Sequence, residues 1–111
     1  MAENTTVGLE RLFNALADPT RIKIFEMLAN AQTALSITAI SDQFVISRQA
    51  VTKHVGILFD ANLVKFEYQG RERFCFINKE PLKDIEQWCT NYADNSDSHQ
   101  AILEKFIGRQ E

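Results

Sequence analysis

"ISRQAVTKHVGILFDANLV", residues 46–64, decides how the rest of the chain is read. Val51, Val55 and Leu58 recur at i, i+4 and i+7, the spacing of one buried helix face. Ser47 stands before the run as an N-cap, and Asn62 after it tolerates the left-handed backbone that often ends a helix. The spacing predicts a helix from Arg48 to Ala61. Its other face offers Arg48, Gln49, Thr52, Lys53 and Gly56, with no acid before Asp60. Taken alone, such a face is also what an ordinary solvated helix presents, so its neighbours must decide.

Upstream, Ser36 caps a short helix, "ITAISDQF", that turns Ile37, Ile40 and Phe44 inward, and residues 45–46 leave only a brief turn. Downstream, Val64, Phe66 and Tyr68 alternate with Lys65, Glu67 and Gln69. After a turn around Gly70, Phe74 and Phe76 alternate with Arg73, Cys75 and Ile77, which predicts a β-hairpin. A short helix, a tight turn, a Ser-capped helix and a hairpin with a basic tip make a winged helix-turn-helix. In that unit the second helix enters the DNA major groove with its N-terminal residues leading.

The free face then acquires a chemistry. Arg48 can pair with guanine O6 and N7, and Gln49 with adenine N6 and N7. Thr52 can bond a phosphate or touch a thymine methyl, and Lys53 suits a phosphate. Ser47 at the cap belongs with them, and Gly56 leaves room for the DNA backbone. Arg71 and Arg73 on the hairpin suit phosphates or a narrow minor groove. His54, at the edge of the apolar stripe, is read either as a packing or capping residue or as a DNA contact. Arg21 is read either as a structural hydrogen-bonding residue or as a phosphate contact.

The remaining elements frame this block. Residues 8–17 form an amphipathic helix with Leu9, Leu12, Phe13 and Leu16 on one face. Asp18 caps a second helix with Pro19 at its first position, where a missing N–H costs nothing. In "PTRIKIFEMLAN" the spacing sets Ile22, Phe25 and Leu28 inward, flanked by Ile24 and Met27. "AQTAL" reads as a loop. Asn78 caps a last helical region, which is one helix or two. Leu82, Ile85, Trp88, Cys89 and Tyr92 make one apolar face there, and Leu103, Phe106 and Ile107 another.

The expected fold is mainly α with a small β-hairpin: five or six helices and a two-stranded wing in one domain, residues 1–111. Residues 8–28 supply the first two helices, 36–61 the helix-turn-helix, 63–77 the wing and 79–109 the C-terminal dimerisation region. The expected core is Leu12, Phe13, Leu16, Ile22, Phe25, Leu28, Ile40, Phe44, Val51, Val55, Leu58, Leu63 and Phe66.

A net charge of −3 argues at first against nucleic acid. Its distribution argues the other way. Residues 1–46 carry three basic and five acidic groups, 47–79 six basic and three acidic, and 80–111 three basic and seven acidic. The excess positive charge falls on the helix and hairpin, and local field decides where a polyanion docks. No apolar run approaches a membrane span, and the N-terminus lacks the basic and apolar regions of a signal peptide, so a cytoplasmic protein is expected.

"ALADPTRIKIFEML" (15–28), "SRQAVTKHVGIL" (47–58), "ANLV" (61–64) and "GRERFCFI" (70–77) together resemble the ArsR family of bacterial winged-helix repressors. The order and spacing of these motifs cover most of residues 9–92. "NKEPLKDIEQW" (78–88) is similar to the branch of small autorepressors. Asn62 stands where the family usually has Gly. The resemblance implies a homodimer that occludes a promoter, built mainly from the first and last helices. Its expected interface is Leu9, Leu12, Phe13, Trp88, Tyr92, Leu103 and Phe106. Two-fold symmetry then implies an inverted-repeat operator, with half-sites about 34–36 Å or a multiple apart.

The family is known for metal sensing, but the usual cysteine pair would fall in "SITAISDQF", which has no Cys or His. Asp97-Ser98-His99 supplies half of another family site, with Gln110 where the later His should be. Half a shell does not hold a tetrahedral ion, so no metal and no cofactor is expected, and no effector is evident. Cys75 and Cys89 read as structural thiols, with a thiol switch as the lesser reading. With two histidines and no phosphate loop or nucleophile motif, no catalysis is expected. The alternatives are a winged-helix protein-contact module, which would have less use for Arg48, Lys53, Arg71 and Arg73, and a repressor that responds to a metal or through a thiol.

Overall fold

A computed structural model describes residues 2–93, with side chains from residue 8 onward. The chain divides into two compact units, Met1–Pro81 and Leu82–Glu111, and each is described by itself. Leu103, Phe106 and the Asp97-Ser98-His99 triplet lie outside the described residues.

In the first unit α1 (Ala2–Leu16) is followed by α2 (Pro19–Ala31), β1 (Leu35–Ser36), α3 (Ile37–Ser41), α4 (Arg48–Asp60), β2 (Val64–Gln69) and β3 (Glu72–Ile77). α5 (Glu80–Ala93) begins there and continues into the second unit. α1 starts earlier than the apolar pattern does. The caps stand where the side-chain chemistry asks for them. Asp18, Ser36 and Ser47 accept the backbone N–H groups of Arg21, Ala39 and Ala50 at 3.1, 3.0 and 3.1 Å. Each satisfies a donor that a helix start leaves without an intrahelical partner.

α4 ends in a Schellman motif. Asn62 takes φ +66°, donating to Phe59 O at 2.9 Å, while Leu63 N donates to Leu58 O at 2.9 Å. Asn serves here because its short polar side chain tolerates the left-handed region. Leu58 and Leu63, at the two positions where such motifs usually carry apolar residues, are both fully buried. Asn78 straps this end to the close of the wing. Its Nδ2 donates to Asn62 O at 2.9 Å and its backbone N–H to Leu63 O at 2.9 Å. Its Oδ1 also accepts from Glu80 N at 3.3 Å, the capping role expected of it.

The sheet is antiparallel in the order β1-β3-β2, so the expected two-stranded wing gains a third, two-residue strand. Leu35 pairs with Cys75 and Ser36 with Phe74. "AQTAL" is therefore not loop throughout: its last residue pairs because β3 offers a free edge beside the start of α3. In the hairpin Val64 faces Ile77, Phe66 faces Cys75 and Tyr68 faces Arg73. Gly70 takes φ +66°, as the first central residue of a tight primed hairpin turn requires.

The core is Leu12, Ala15, Ile24, Leu28, Ile37, Ile40, Val51, Val55, Leu58, Ala61, Leu63, Val64 and Cys75. Leu12, Leu28, Ile40, Val51, Val55, Leu58 and Leu63 are the expected members. Leu16, Phe25, Phe44 and Phe66 are half-buried instead. Two expectations are corrected outright: Phe13 is 40% and Ile22 41% exposed. α2 carries two interleaved apolar spacings, and the helix is rolled so that Ile24 and Leu28, at i and i+4, face inward. In α1 the inward pair is Leu12 and Ala15, and the small Ala15 suits close helix packing.

In the second unit the described part of α5 carries Trp88 and Tyr92, ring centroids 5.4 Å apart, on a largely exposed surface. Gln87 Nε2 donates to Asn91 Oδ1 at 3.0 Å along the same helix. No described helix is long and apolar enough to cross a membrane.

Candidate nucleic-acid interface

α4 reaches the surface at its N-terminus. Ser47 caps it there, and its first turn carries no acid. The partial positive charge of the helix start is therefore not offset by a carboxylate on the helix, which favours an anion in front of it. Arg48, Gln49 and Lys53 are exposed, and Thr52 is half-buried. A Cβ built at Gly56 meets nothing within 4 Å, so the glycine leaves open space on this face.

The hairpin register brings the wing to the same end of α4. Arg48 and Thr52 line one cleft of about 330 Å³ with Ile37, Arg71, Glu72 and Arg73. Four residues expected to meet DNA therefore border a single concavity. Gln49 and Lys53 stand outside it on the exposed helix surface. Arg71 follows the turn glycine, whereas Arg73 sits back in β3 opposite Tyr68 and is half-buried. Its guanidinium lies over the Phe66 ring, Cζ 4.2 Å from the centroid.

His54 points elsewhere. Its Nδ1 lies 3.2 Å from Arg21 Nη1 and 3.9 Å from Asp18 Oδ2. A guanidinium only donates, so in its contact with Arg21 the imidazole nitrogen is the acceptor. Arg21 also donates through Nε to Ala15 O at 2.6 Å and through Nη2 to Asn14 O at 3.4 Å. The Arg21 backbone N–H bonded to Asp18, with the charge of its guanidinium, holds the Asp18 carboxyl below its usual range. His54 and Arg21 are thus placed for the structural role read for each: they tie the end of α1 and the start of α2 to α4. Sequence spacing could not show this, since His54 and Arg21 are 33 residues apart.

Cys75 is fully buried in β3, and burial pushes its thiol up to about 11. Such a thiol stays protonated and inert near neutrality. In a Cys89→Ser chain at pH 8, Cys75 should resist a thiol reagent until the protein is unfolded. Rapid labelling of the native chain would show instead that β3 opens readily. Cys89 is exposed on α5. Among the described residues no group of three His, Cys, Asp or Glu side chains is placed to hold a metal ion.

Comparison with known proteins agrees with this architecture. Residues 16–65 match a helix-turn-helix domain family. The uncharacterized HTH-type transcriptional regulator YuzN of Bacillus subtilis is 33% identical over 82 residues, covering 68% of this chain and 88% of its own. An ArsR-like transcriptional regulator from Rhodococcus sp. RHA1 superposes with TM-score 0.73 at 25% identity, over 93% of this chain and 95% of the other. The chain belongs to the ArsR family of winged helix-turn-helix transcription regulators. Another relative is the transcriptional repressor SdpR of Bacillus subtilis, 27% identical over 90 residues, 81% of this chain and 98% of its own. The homodimeric winged helix-turn-helix DNA-binding domain of Mb0332 from Mycobacterium bovis shares the fold alone, with TM-score 0.62 at 16% identity over 98% of this chain and 85% of that one.

Proposed function

We propose that this ArsR-family regulator is a cytoplasmic homodimeric repressor that occludes a promoter, with its own gene as a target. The observation that carries the reading is the cleft joining Arg48 and Thr52 at the start of α4 to Arg71 and Arg73 of the wing. A duplex seated on it would put the helix N-terminus in the major groove and the wing on the flanking backbone. Arg48 and Gln49 would read bases, while Ser47, Thr52, Lys53, Arg71 and Arg73 would hold phosphates or sugar edges. SdpR is a transcriptional repressor and the Mb0332 domain a homodimer, and both precedents support the reading. Leu9 and Phe13 of α1 and Trp88 and Tyr92 of α5 are the described residues assigned to the dimer. Leu12 is 3% exposed and serves the protomer core. Blocking a promoter needs binding and no catalysis, and no ligand is required to explain any residue placed above.

The test is fluorescence anisotropy with duplex from the gene's own upstream region against a scrambled duplex, with salt titrated. Preference for the upstream duplex and a steep salt slope are expected. Lys53→Ala or Arg71→Ala should weaken both duplexes alike and flatten the slope by about 0.9 for each phosphate no longer neutralised. Failure to bind either duplex at low salt would sink the reading and favour a protein partner.

A further inference from the structure

The cleft holds a second device. Arg48, Arg71 and Arg73 share it with one carboxylate, Glu72, so three cations stand against one anion and an unanchored arginine would be free to swing into water. Arg73 lies instead over the Phe66 ring, its Cζ 4.2 Å from the centroid. Phe59 of α4 stacks on that same ring, centroids 4.4 Å apart and planes 14° from parallel. Phe66 is thus in contact with a ring of α4 and with the wing arginine. The hairpin register makes this possible. Arg73 pairs with Tyr68, which sets it diagonal to Phe66, a separation that a long side chain spans.

Resting on the DNA-binding reading above, we infer that Phe66, stacked on Phe59, is a positioning residue that presents the Arg73 guanidinium to the DNA backbone. The negative ring face attracts the cation, and the planar guanidinium lies along it. The stack anchors the wing arginine to α4 itself, so helix and wing meet the duplex as one rigid reader. Arg73 reaches its phosphate without first giving up the rotamer freedom of a loose surface arginine. An ordinary core phenylalanine would need no partner in the cleft.

A double-mutant cycle on binding to the upstream duplex tests the inference. Phe66→Leu keeps apolar bulk but removes the ring; it should weaken binding about two- to five-fold and lower the salt slope. Phe66→Tyr keeps the ring and should bind as wild type. In an Arg73→Ala background, Phe66→Leu should have no further effect. If Phe66→Leu costs the same factor in both backgrounds, it acts through fold stability and the positioning role is overturned. Wild-type affinity in Phe66→Leu would overturn it as well. These outcomes presuppose specific binding by the wild type. Its absence would be a separate result, removing the DNA reading and this role with it.

Discussion

Leu58→Ala should destabilise the folded chain by about 2–5 kcal/mol, the range for truncating a buried leucine. Leu58 is fully buried, on the stripe it shares with Val51 and Val55. It also stands at the Schellman end of α4, where its carbonyl accepts the Leu63 N–H at 2.9 Å. Truncation therefore opens a cavity beside the link from α4 to the wing. Domains of this size are stable by about 5–15 kcal/mol, so the loss is a large fraction of the total. Urea unfolding followed by circular dichroism, at fixed protein concentration because a dimer's stability depends on it, measures the shift. Ile57→Ala, one position along and 36% exposed, is the matched control and should cost much less. Equal losses at 57 and 58 would mean that α4 is rolled differently against its core.

α4 is legible in the sequence because several local signals coincide there. Ser47 caps its start, Asn62 ends it, and the stripe between has a single period. α2 is legible as a helix but not in its roll, because Ile22-Phe25-Leu28 and Ile24-Leu28 are both helical spacings. Only tertiary packing chooses Ile24. β1 is invisible, since a two-residue strand has no alternation and exists only because β3 lends it an edge. The candidate DNA-facing residues follow from helix phase and hairpin position. Their mutual arrangement does not. The Phe59-Phe66-Arg73 stack and the Asp18-Arg21-His54 tie join residues from separate elements, and no local pattern encodes which side chains meet. His54 shows the consequence. One residue beyond Lys53 in sequence, it is turned by the helical step of about 100° toward α2 instead of the open face.

Gln49→Ala and Arg48→Ala should each cost about 1–3 kcal/mol on the matched operator and far less on scrambled DNA. Both side chains are exposed at the leading end of α4, Arg48 directly after its cap and Gln49 next to it. A bidentate pair is lost only where its base is present, so the loss must be confined to particular base pairs. Gln49→Ala should relax preference at one adenine, and Arg48→Ala at one guanine. Lys53→Ala differs in kind, because a phosphate is present in every sequence. In a symmetric dimer each substitution acts in both half-sites, so a relaxed position should recur as its mirror image across the operator. Affinity for a panel of single-base operator variants reads this directly. Sequence preference unchanged in both variants would show that bases are read from another surface. Relaxation in one half-site only would point to a reader whose halves are not related by two-fold symmetry.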